Sequence, residues 1–342
     1  MSIELIISLV KANIVLAVLL TNTILLIWFE RKVVAGMQSR VGPDRAGPFG
    51  ILQTLADAIK LLLKEQILPS KADRAMYLLA PLIALVPSFL IFMIIPLGPD
   101  ITVEWQNALY TIPLVGADLN VGVLYFLALS SIAVYSVVLA GWSSGSKYPL
   151  LGGVRASAQM ISYEAAMGLA LVPVILYSGS LSLVDIVNSQ SGNLSSSIPI
   201  LNTIVSFIPK WNIFPQFVAF GIFFIAAVAE VNRAPFDLVE AEQELVGGFH
   251  TEYSGFRFAM FFLAEYINMF NMCAITATFF LGGWLGPTFE GILPPIFSVI
   301  MPIIWLGVKT FLLLFVFVWI RATLPRLRYD QLMELGWKRM IP

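Results

Sequence analysis

Long apolar stretches separated by short polar segments are the dominant pattern of this chain. A hydrocarbon core of about 30 Å is crossed by roughly 20 apolar residues in a helix, because lipid cannot satisfy exposed backbone amides. Seven stretches approach or exceed that length: approximately 3–29, 75–97, 119–142, 156–178, 215–231, 255–284 and 290–320. The sequence therefore predicts an all-α polytopic membrane protein. Residues 1–342 would form a single integral membrane domain with about seven transmembrane helices.

Residues 48–69 follow a different pattern. Gln53, Asp57, Lys60 and Lys64 recur every three or four positions, and leucine and isoleucine side chains occupy the opposite face. This spacing predicts an amphipathic helix that lies in the membrane interface rather than crossing it. Two interpretations remain open for it, a peripheral anchor and a wall of a functional site.

Composition agrees with a membrane protein and excludes several chemistries. The chain is 58% hydrophobic and 12% charged, whereas soluble domains contain about 25% charged residues. A net charge of −1 gives no support for a nucleic-acid partner. One cysteine (Cys273) and one histidine (His250) cannot form an intrachain disulfide, a Cys-ligated iron–sulfur cluster, a bis-His haem or a His-rich zinc site. We therefore expect no metal site in this chain, and any redox cofactor to lie on a partner.

Basic residues predict an orientation. Of the 20 lysines and arginines, 17 lie in the alternate segments 31–74, 143–155, 232–257 and 321–342. By the positive-inside rule these segments are cytoplasmic and the N-terminus is outside. The first apolar stretch lacks a basic n-region and a cleavage site, so we expect it to be retained as a span.

Carboxylates are concentrated in one region. Seven of the 21 acidic residues lie between Glu230 and Glu265, mostly in an acidic inner loop at residues 232–254. Pro235 interrupts the helix there, and its freed backbone groups should line protein or water rather than lipid. Closely spaced carboxylates titrate as a coupled set. In the segment VEAEQEL, Glu240 and Glu244 would share a helical face, and Glu242 would point away.

Ionisable residues within a span are costly and are functional candidates by default. Glu164 and Glu265 lie well inside predicted spans with no basic residue within one helical turn, which favours a proton-carrying role. Glu230 ends the fifth span, and Arg233 follows at a spacing that permits an ion pair. Structural pairing and proton transfer both remain open for Glu230.

Several long motifs resemble a known family. They are ERK (30–32), RVGPDRAGPFGILQTLADAIKLLLKE (40–65), KYPLLGGVRASAQMISYE (147–164), AEVNRAPFDLVEAEQELVGGFHTEYSGFRFAMFFLAEY (229–266) and WIRATLPRLRYDQLMELGWK (319–338). They resemble the quinone-site membrane subunit of respiratory complex I, known as NADH dehydrogenase subunit 1 or, in bacteria, as the H-type subunit of NADH–quinone oxidoreductase. The resemblance implies an eighth span after the last motif, where this sequence ends at Pro342.

The resemblance also implies roles for individual residues. Four would line or support a quinone tunnel: Arg31, Arg40, Asp57 and Arg321. Seven would form a carboxylate path that couples quinone reduction to proton movement: Glu164, Glu230, Asp237, Glu240, Glu242, Glu244 and Glu265. Arg233 would be a charge partner within that path.

By the same resemblance, the chain would be one subunit of a proton-translocating NADH:quinone oxidoreductase. Quinone would be its substrate, and FMN and iron–sulfur clusters would lie on partner subunits. Partners would be the hydrophilic quinone-site and iron–sulfur subunits, small membrane subunits, antiporter-like subunits and membrane lipid. The motifs favour a bacterial cytoplasmic membrane over the mitochondrial inner membrane. The alternatives are the matching subunit of a photosynthetic complex or a membrane-bound hydrogenase, a stand-alone proton-coupled transporter, and a purely structural anchor.

Overall fold

The protein is helical almost throughout, as seen in a computed structural model that describes residues 3–105, 108–193, 209–237, 246–287 and 296–342. The helices are α1 (Ile3–Met37), α2 (Gln53–Leu63), α3 (Arg74–Met93), α4 (Gly122–Ser143), α5 (Lys147–Ser178), α6 (Leu183–Ser189), α7 (Phe217–Glu230), α8 (Gly255–Phe280), α9 (Ile296–Thr323) and α10 (Tyr329–Glu334). A π-helix, Leu335–Met340, continues α10. An antiparallel hairpin of β1 (Ile101–Trp105) and β2 (Ala108–Ile112) joins α3 to α4, and the apolar pattern did not predict it.

The all-α polytopic class is confirmed. Within the described ranges, six helices are long and apolar enough to cross a membrane, and α7 is a shorter apolar helix. These seven helices correspond to the seven predicted stretches, with two clear differences at their ends. The first helix continues through its charged residues to Met37, and α5 begins at Lys147 rather than near residue 156.

Glycines explain the early start of α5. The predicted span began near residue 156 and left Gly152 and Gly153 outside it, and glycine weakens a helix in isolation. In the structure, a Cβ atom added at Gly153 would lie 3.0 Å from the Val137 carbonyl oxygen and 3.3 Å from the Gly141 Cα. The small residues therefore permit α4 and α5 to approach closely, as they do in many membrane helix pairs. Packing outweighs intrinsic helix propensity here.

The amphipathic segment forms a shorter helix than residues 48–69. Helix α2 covers Gln53–Leu63, after a 3₁₀ turn at Pro48–Gly50, and the chain becomes extended at Lys64. Its apolar side chains, including Leu55, Ile59 and Leu62, remain substantially exposed in the isolated chain. The predicted amphipathic pattern is therefore present on α2, and its location in the membrane interface stays a prediction.

Helix α8 is the most enclosed part of the bundle. Every residue from Asn271 to Phe280 is buried, and α8 packs against both α3 and α9. Aromatic rings of α7 and α8 interlock, with Phe223 lying 5.6 Å from Phe280 between ring centroids. Glu265, near the middle of α8, is partly buried in this bundle, with 22% of its side chain exposed.

Helix α7 ends early, and its end positions the candidate site. Its 14 residues span about 21 Å, which is less than the roughly 30 Å hydrocarbon core. Asn232 adopts φ 54°, a left-handed conformation that asparagine tolerates better than most residues. The amide of Gln159 on α5 donates to the carbonyl oxygens of Ala229 (2.8 Å) and Phe236 (2.9 Å) and so holds the bend.

Gly152 provides a test of how tightly α5 fixes the turn Gly248–His250. A Cβ at Gly152 would lie 2.6 Å from the Gly248 Cα, which is backbone and cannot rotate away. We expect Gly152→Ala to destabilise the protein by about 1–3 kcal/mol through overpacking. Gly168→Ala on the same helix is the matched control, because its Cβ would meet only Leu127 Cδ1 at 3.9 Å. Thermal denaturation of the purified enzyme should distinguish them, and equal midpoints would contradict this packing.

Candidate functional site

A buried charge network lies where α1, α8, α9 and the bend after α7 meet. Arg233 forms ion pairs with Glu30 and Glu265: its Nη1 lies 3.3 Å from Glu30 Oε1 and its Nε lies 2.8 Å from Glu265 Oε1. Its guanidinium also stacks 4.4 Å from the centroid of the Tyr266 ring. Glu30 and Arg233 are each only 4% exposed. The bend after α7 therefore carries a positive charge into the interior, between carboxylates from two helices.

Arg321 completes this network from α9. Its guanidinium donates to Glu30, so Glu30 lies between two arginines. Among the described residues, the two arginines and two carboxylates of this network balance in formal charge, which favours burial because removing ions from water costs several kcal/mol each. Arg321 is about one-third exposed. The network thus extends from the partly exposed Arg321, through the buried Glu30 and Arg233, to the partly buried Glu265.

Two adjacent serines on α4 contact two more carboxylates. Ser130 donates a hydrogen bond to Glu230, and Ser131 donates one to Glu164 on α5. Glu230 is 6% exposed, and its second oxygen, Oε2, is buried without a hydrogen-bond partner in the described part of the chain. The two carboxylates are close enough to interact electrostatically. Helix α4 therefore links Glu230 and Glu164 through neighbouring hydroxyl groups.

A cavity of about 80 Å³ lies between Glu230 and Glu265, which both line it. Its walls are largely apolar and aromatic, including Phe258, Phe261 and Phe262. At about 30 Å³ per water molecule, it has room for two or more. Its polar lining consists of Ser136, Glu230, Asn232, His250, Glu265 and Asn268. Proton exchange between the two carboxylates through water is therefore sterically possible.

Asp237 forms a second ion pair at the end of the same bend. Its Oδ2 lies 3.1 Å from Arg326 Nη2, in the segment between α9 and α10. A backbone hydrogen bond from Leu327 to Pro235 (3.0 Å) joins the same two segments. Asp237 is 4% exposed, and Arg326 is about half exposed. The ion pair and the backbone hydrogen bond therefore connect the bend after α7 to the segment between α9 and α10.

The residues predicted to line a quinone path lie apart from one another. Arg31 Nη1 and Asp57 Oδ2 form an ion pair of 2.6 Å that joins α1 to α2 on an exposed surface. Arg40 lies outside this pair and donates to Gln38 at 2.7 Å. Arg321 belongs to the buried network instead. Arg31 and Glu30 are adjacent near the C-terminal end of α1. The Arg31–Asp57 ion pair and the buried network therefore lie at the same end of α1.

Three predicted acids, Glu240, Glu242 and Glu244, lie outside the described residues. The remaining predicted acids divide into two groups, with Glu265 and Asp237 in ion pairs and Glu164 and Glu230 hydrogen-bonded to serines. The spacing permitted a pair between Glu230 and Arg233. In the structure Arg233 instead contacts Glu30 and Glu265. No basic residue lies within one helical turn of Glu265 on α8, and its partner Arg233 comes from the segment after α7.

Glu30, Ser130 and Ser131 belong to the site, although the sequence did not single them out. Glu30 falls within the motif ERK. Its position, a carboxylate at the end of a long apolar run, could have marked it as a candidate site residue. The serines gave no comparable signal, because serine is common in membrane helices, where it often bonds its own helix backbone. Their partners become visible only when α4 packs against α5 and α7.

This fold and site define a class, a polytopic helical membrane protein that encloses a charge-balanced network of carboxylates and arginines. Comparisons with known proteins identify the family. A family model described as NADH dehydrogenase matches residues 10–342. A protein of Syntrophobacter fumaroxidans, named as a second H-type subunit of NADH-quinone oxidoreductase, is 51% identical over 97% of this chain and 91% of that protein. The protein of the same name from Koribacter versatilis is 48% identical over 99% of this chain and 94% of its own length.

A further relative, the H-type subunit of NADH-quinone oxidoreductase from Frankia casuarinae, is 52% identical over 98% of this chain and 69% of that protein. The chain therefore belongs to the NADH dehydrogenase family whose members include these H-type subunits. The resemblance drawn from the sequence motifs is confirmed, as is the prediction that the chain is one subunit of a multisubunit oxidoreductase. The three relatives are all bacterial proteins.

Proposed function

We propose that this chain forms part of the quinone tunnel of a proton-translocating NADH:quinone oxidoreductase, and the carboxylate path that couples quinone reduction to proton movement. One observation carries the proposal. A buried charge network runs from Arg321 through Glu30 and Arg233 to Glu265. It is followed by a cavity that ends at Glu230. Burying such a run of ions within a membrane protein costs free energy, so these residues are functional candidates by default.

Quinone reduction supplies the electrostatic change that would drive the path. It takes up two electrons and two protons, and the transient charge near Arg321 alters the balance on Glu30. Arg233 bridges Glu30 and Glu265, so a change at one carboxylate is felt at the other. Interacting carboxylates take up and release protons as a set. The acids Asp237, Glu240, Glu242 and Glu244 belong to the path in this proposal by family resemblance.

The tunnel would lie between α1, α2, α8 and α9. Helices α1 and α2 are joined by the Arg31–Asp57 ion pair, and the exposed leucines and isoleucines of α2 offer an apolar wall for a long quinone tail. Arg40, Arg31, Asp57 and Arg321 would support the entry and the head group. The chain itself supplies binding, orientation and electrostatics, while FMN and iron–sulfur clusters on hydrophilic partner subunits supply the electrons.

Glu164 indicates where a membrane partner would bind. Its hydrogen-bond donor Ser131 is exposed on the surface of the isolated chain, next to exposed apolar residues such as Ile132 and Tyr135. A carboxylate within a span is unfavourable against lipid. We propose that a small membrane subunit covers this face of α4 and α5, that antiporter-like subunits follow it, and that lipid surrounds the rest. In the bacterial membrane the N-terminus would be outside, by the positive-inside rule.

Arg321 tests the quinone part of the proposal. A hydrogen bond to a charged group contributes about 1.5–3 kcal/mol, so Arg321→Gln should raise the KM for quinone about tenfold or more. Glu30 would keep its pair with Arg233, so the enzyme should still assemble. NADH oxidation at varied quinone concentration measures the effect. Arg339→Gln is the control, because Arg339 is exposed on the π-helix. An unchanged KM in Arg321→Gln would remove Arg321 from the quinone site.

A further inference from the structure

His250 lines the same cavity as Glu230 and Glu265, although the proposed carboxylate path gives it no role. It is the single histidine of the chain and ends the turn Gly248–His250. Its ring lies between two phenylalanines, with centroids 4.9 Å from Phe249 and 5.5 Å from Phe258. These contacts hold the imidazole at the cavity wall.

The polar groups of this cavity have unfilled hydrogen-bonding capacity. The His250 ring packs against the rings of Phe249 and Phe258. Glu230 Oε2 and Asn268 Oδ1 are buried without a hydrogen-bond partner in the described part of the chain. Buried polar groups of this kind are normally satisfied by ordered water. Two unsatisfied groups around one cavity therefore indicate bound water, and His250 lines the same cavity.

Among the described residues that line this cavity, the charged side chains are Glu230 and Glu265. Helix α7 contributes Glu230 to the cavity, and α8 contributes Glu265, which is paired with Arg233. The cavity residues from α3, α4 and α5 are uncharged: Ala84, Ala133, Ser136, Val137 and Met160. Glu252, two residues along the chain, and Arg257, near the start of α8, lie outside the cavity lining. His250 thus faces two groups that can exchange protons with it.

We propose that His250 is a proton-relay residue of the cavity, which exchanges protons with Glu230 and Glu265 through bound water. This inference rests on the proposed function. One ring nitrogen accepts a proton, the opposite nitrogen releases its own proton to cavity water, and the neutral imidazole is restored as the other tautomer. No bond other than N–H and O–H forms or breaks, and the net charge is unchanged. Burial lowers the pKa of His250 to about 4, so the ring is neutral near pH 7 and has an acceptor nitrogen available.

The test uses the assembled enzyme in sealed vesicles. His250→Gln keeps polar atoms at this position, and His250→Ala opens space for free imidazole. Because positioned proton-transfer groups contribute about 10²-fold or more, each variant should lose at least about tenfold in quinone-dependent NADH oxidation and proton pumping. Millimolar imidazole should restore His250→Ala and leave His250→Gln unchanged. Glu252→Gln, two residues away and outside the cavity, is the matched control and should retain wild-type rates.

Three outcomes would overturn the relay. They are wild-type rates in both His250 variants, recovery of the rates by His250→Phe, which restores packing alone, and loss in His250→Ala without rescue by imidazole. Glu265→Gln measured in the same vesicles separates this failure from failure of the proposed function. Loss of coupling in Glu265→Gln with normal rates in His250→Gln would reject the relay and leave the carboxylate path intact. Normal rates in both would reject the carboxylate path as well.

Discussion

Arg233→Met is expected to destabilise the assembled enzyme by about 3–5 kcal/mol, since removing one partner of a buried ion pair leaves an uncompensated charge. Arg233 is 4% exposed and contacts both Glu30 and Glu265. Glu30 would keep Arg321, whereas Glu265 would lose this ion pair in the interior of the bundle. Native gels for assembly and thermal denaturation of the purified enzyme measure the effect.

Two further variants make this prediction specific. Arg233→Met combined with Glu265→Gln should recover part of the lost stability, because it removes both charges of one pair. Arg328→Met breaks the exposed pair with Asp330 and should leave stability within experimental error, since exposed pairs contribute little. If Arg233→Met and Arg328→Met had the same denaturation midpoint, the buried network would not stabilise the enzyme.

The sequence predicted most of the fold, because the membrane imposes simple rules on it. Apolar length alone located seven helices, and the alternation of polar residues at Gln53, Asp57 and Lys60 located α2. The early start of α5 could not be read from Gly152 and Gly153, since the same glycines suit a loop or a close helix contact. The two strands of the hairpin between α3 and α4 are five residues each, and apolar runs that short could not be distinguished from a loop.

The site was predicted as a set of residues but not as a set of contacts. The cost of burying charge was sufficient to single out Glu164, Glu230 and Glu265. Their partners depend on tertiary packing: Arg321 reaches Glu30 across 291 positions of sequence, and Ser130 reaches Glu230 across 100. Local spacing suggested Arg233 as a partner of Glu230. The left-handed conformation at Asn232 redirects the chain after α7, and Arg233 contacts Glu30 and Glu265.

Glu230→Gln is expected to have the largest effect on activity. Glutamine has nearly the same size and can still accept the hydrogen bond from Ser130, while it cannot exchange a proton at this position. Glu230 forms no ion pair within the described residues, so neutralising it breaks no salt bridge. We expect quinone-dependent NADH oxidation and proton pumping to fall together by about 10²-fold or more, the lower end of what positioned proton-transfer groups contribute.

Controls separate this effect from damage to the enzyme. Reduction of a soluble artificial acceptor by NADH should stay at the wild-type rate, because electron entry would occur on partner subunits. Glu334→Gln is the matched substitution, since Glu334 is an exposed acid on α10 that pairs with the exposed Lys338. It should retain both NADH oxidation and proton pumping.

The most direct test of the carboxylate path is proton pumping by the Glu230→Gln enzyme in sealed vesicles, measured alongside quinone-dependent NADH oxidation, with assembly verified by native gel. We predict that both rates fall together while reduction of the artificial acceptor continues. An assembled Glu230→Gln enzyme that oxidises NADH with quinone and pumps protons at wild-type rates would contradict the path. Glu230 would then be a structural acid held by Ser130, and the cavity would not carry protons between Glu230 and Glu265.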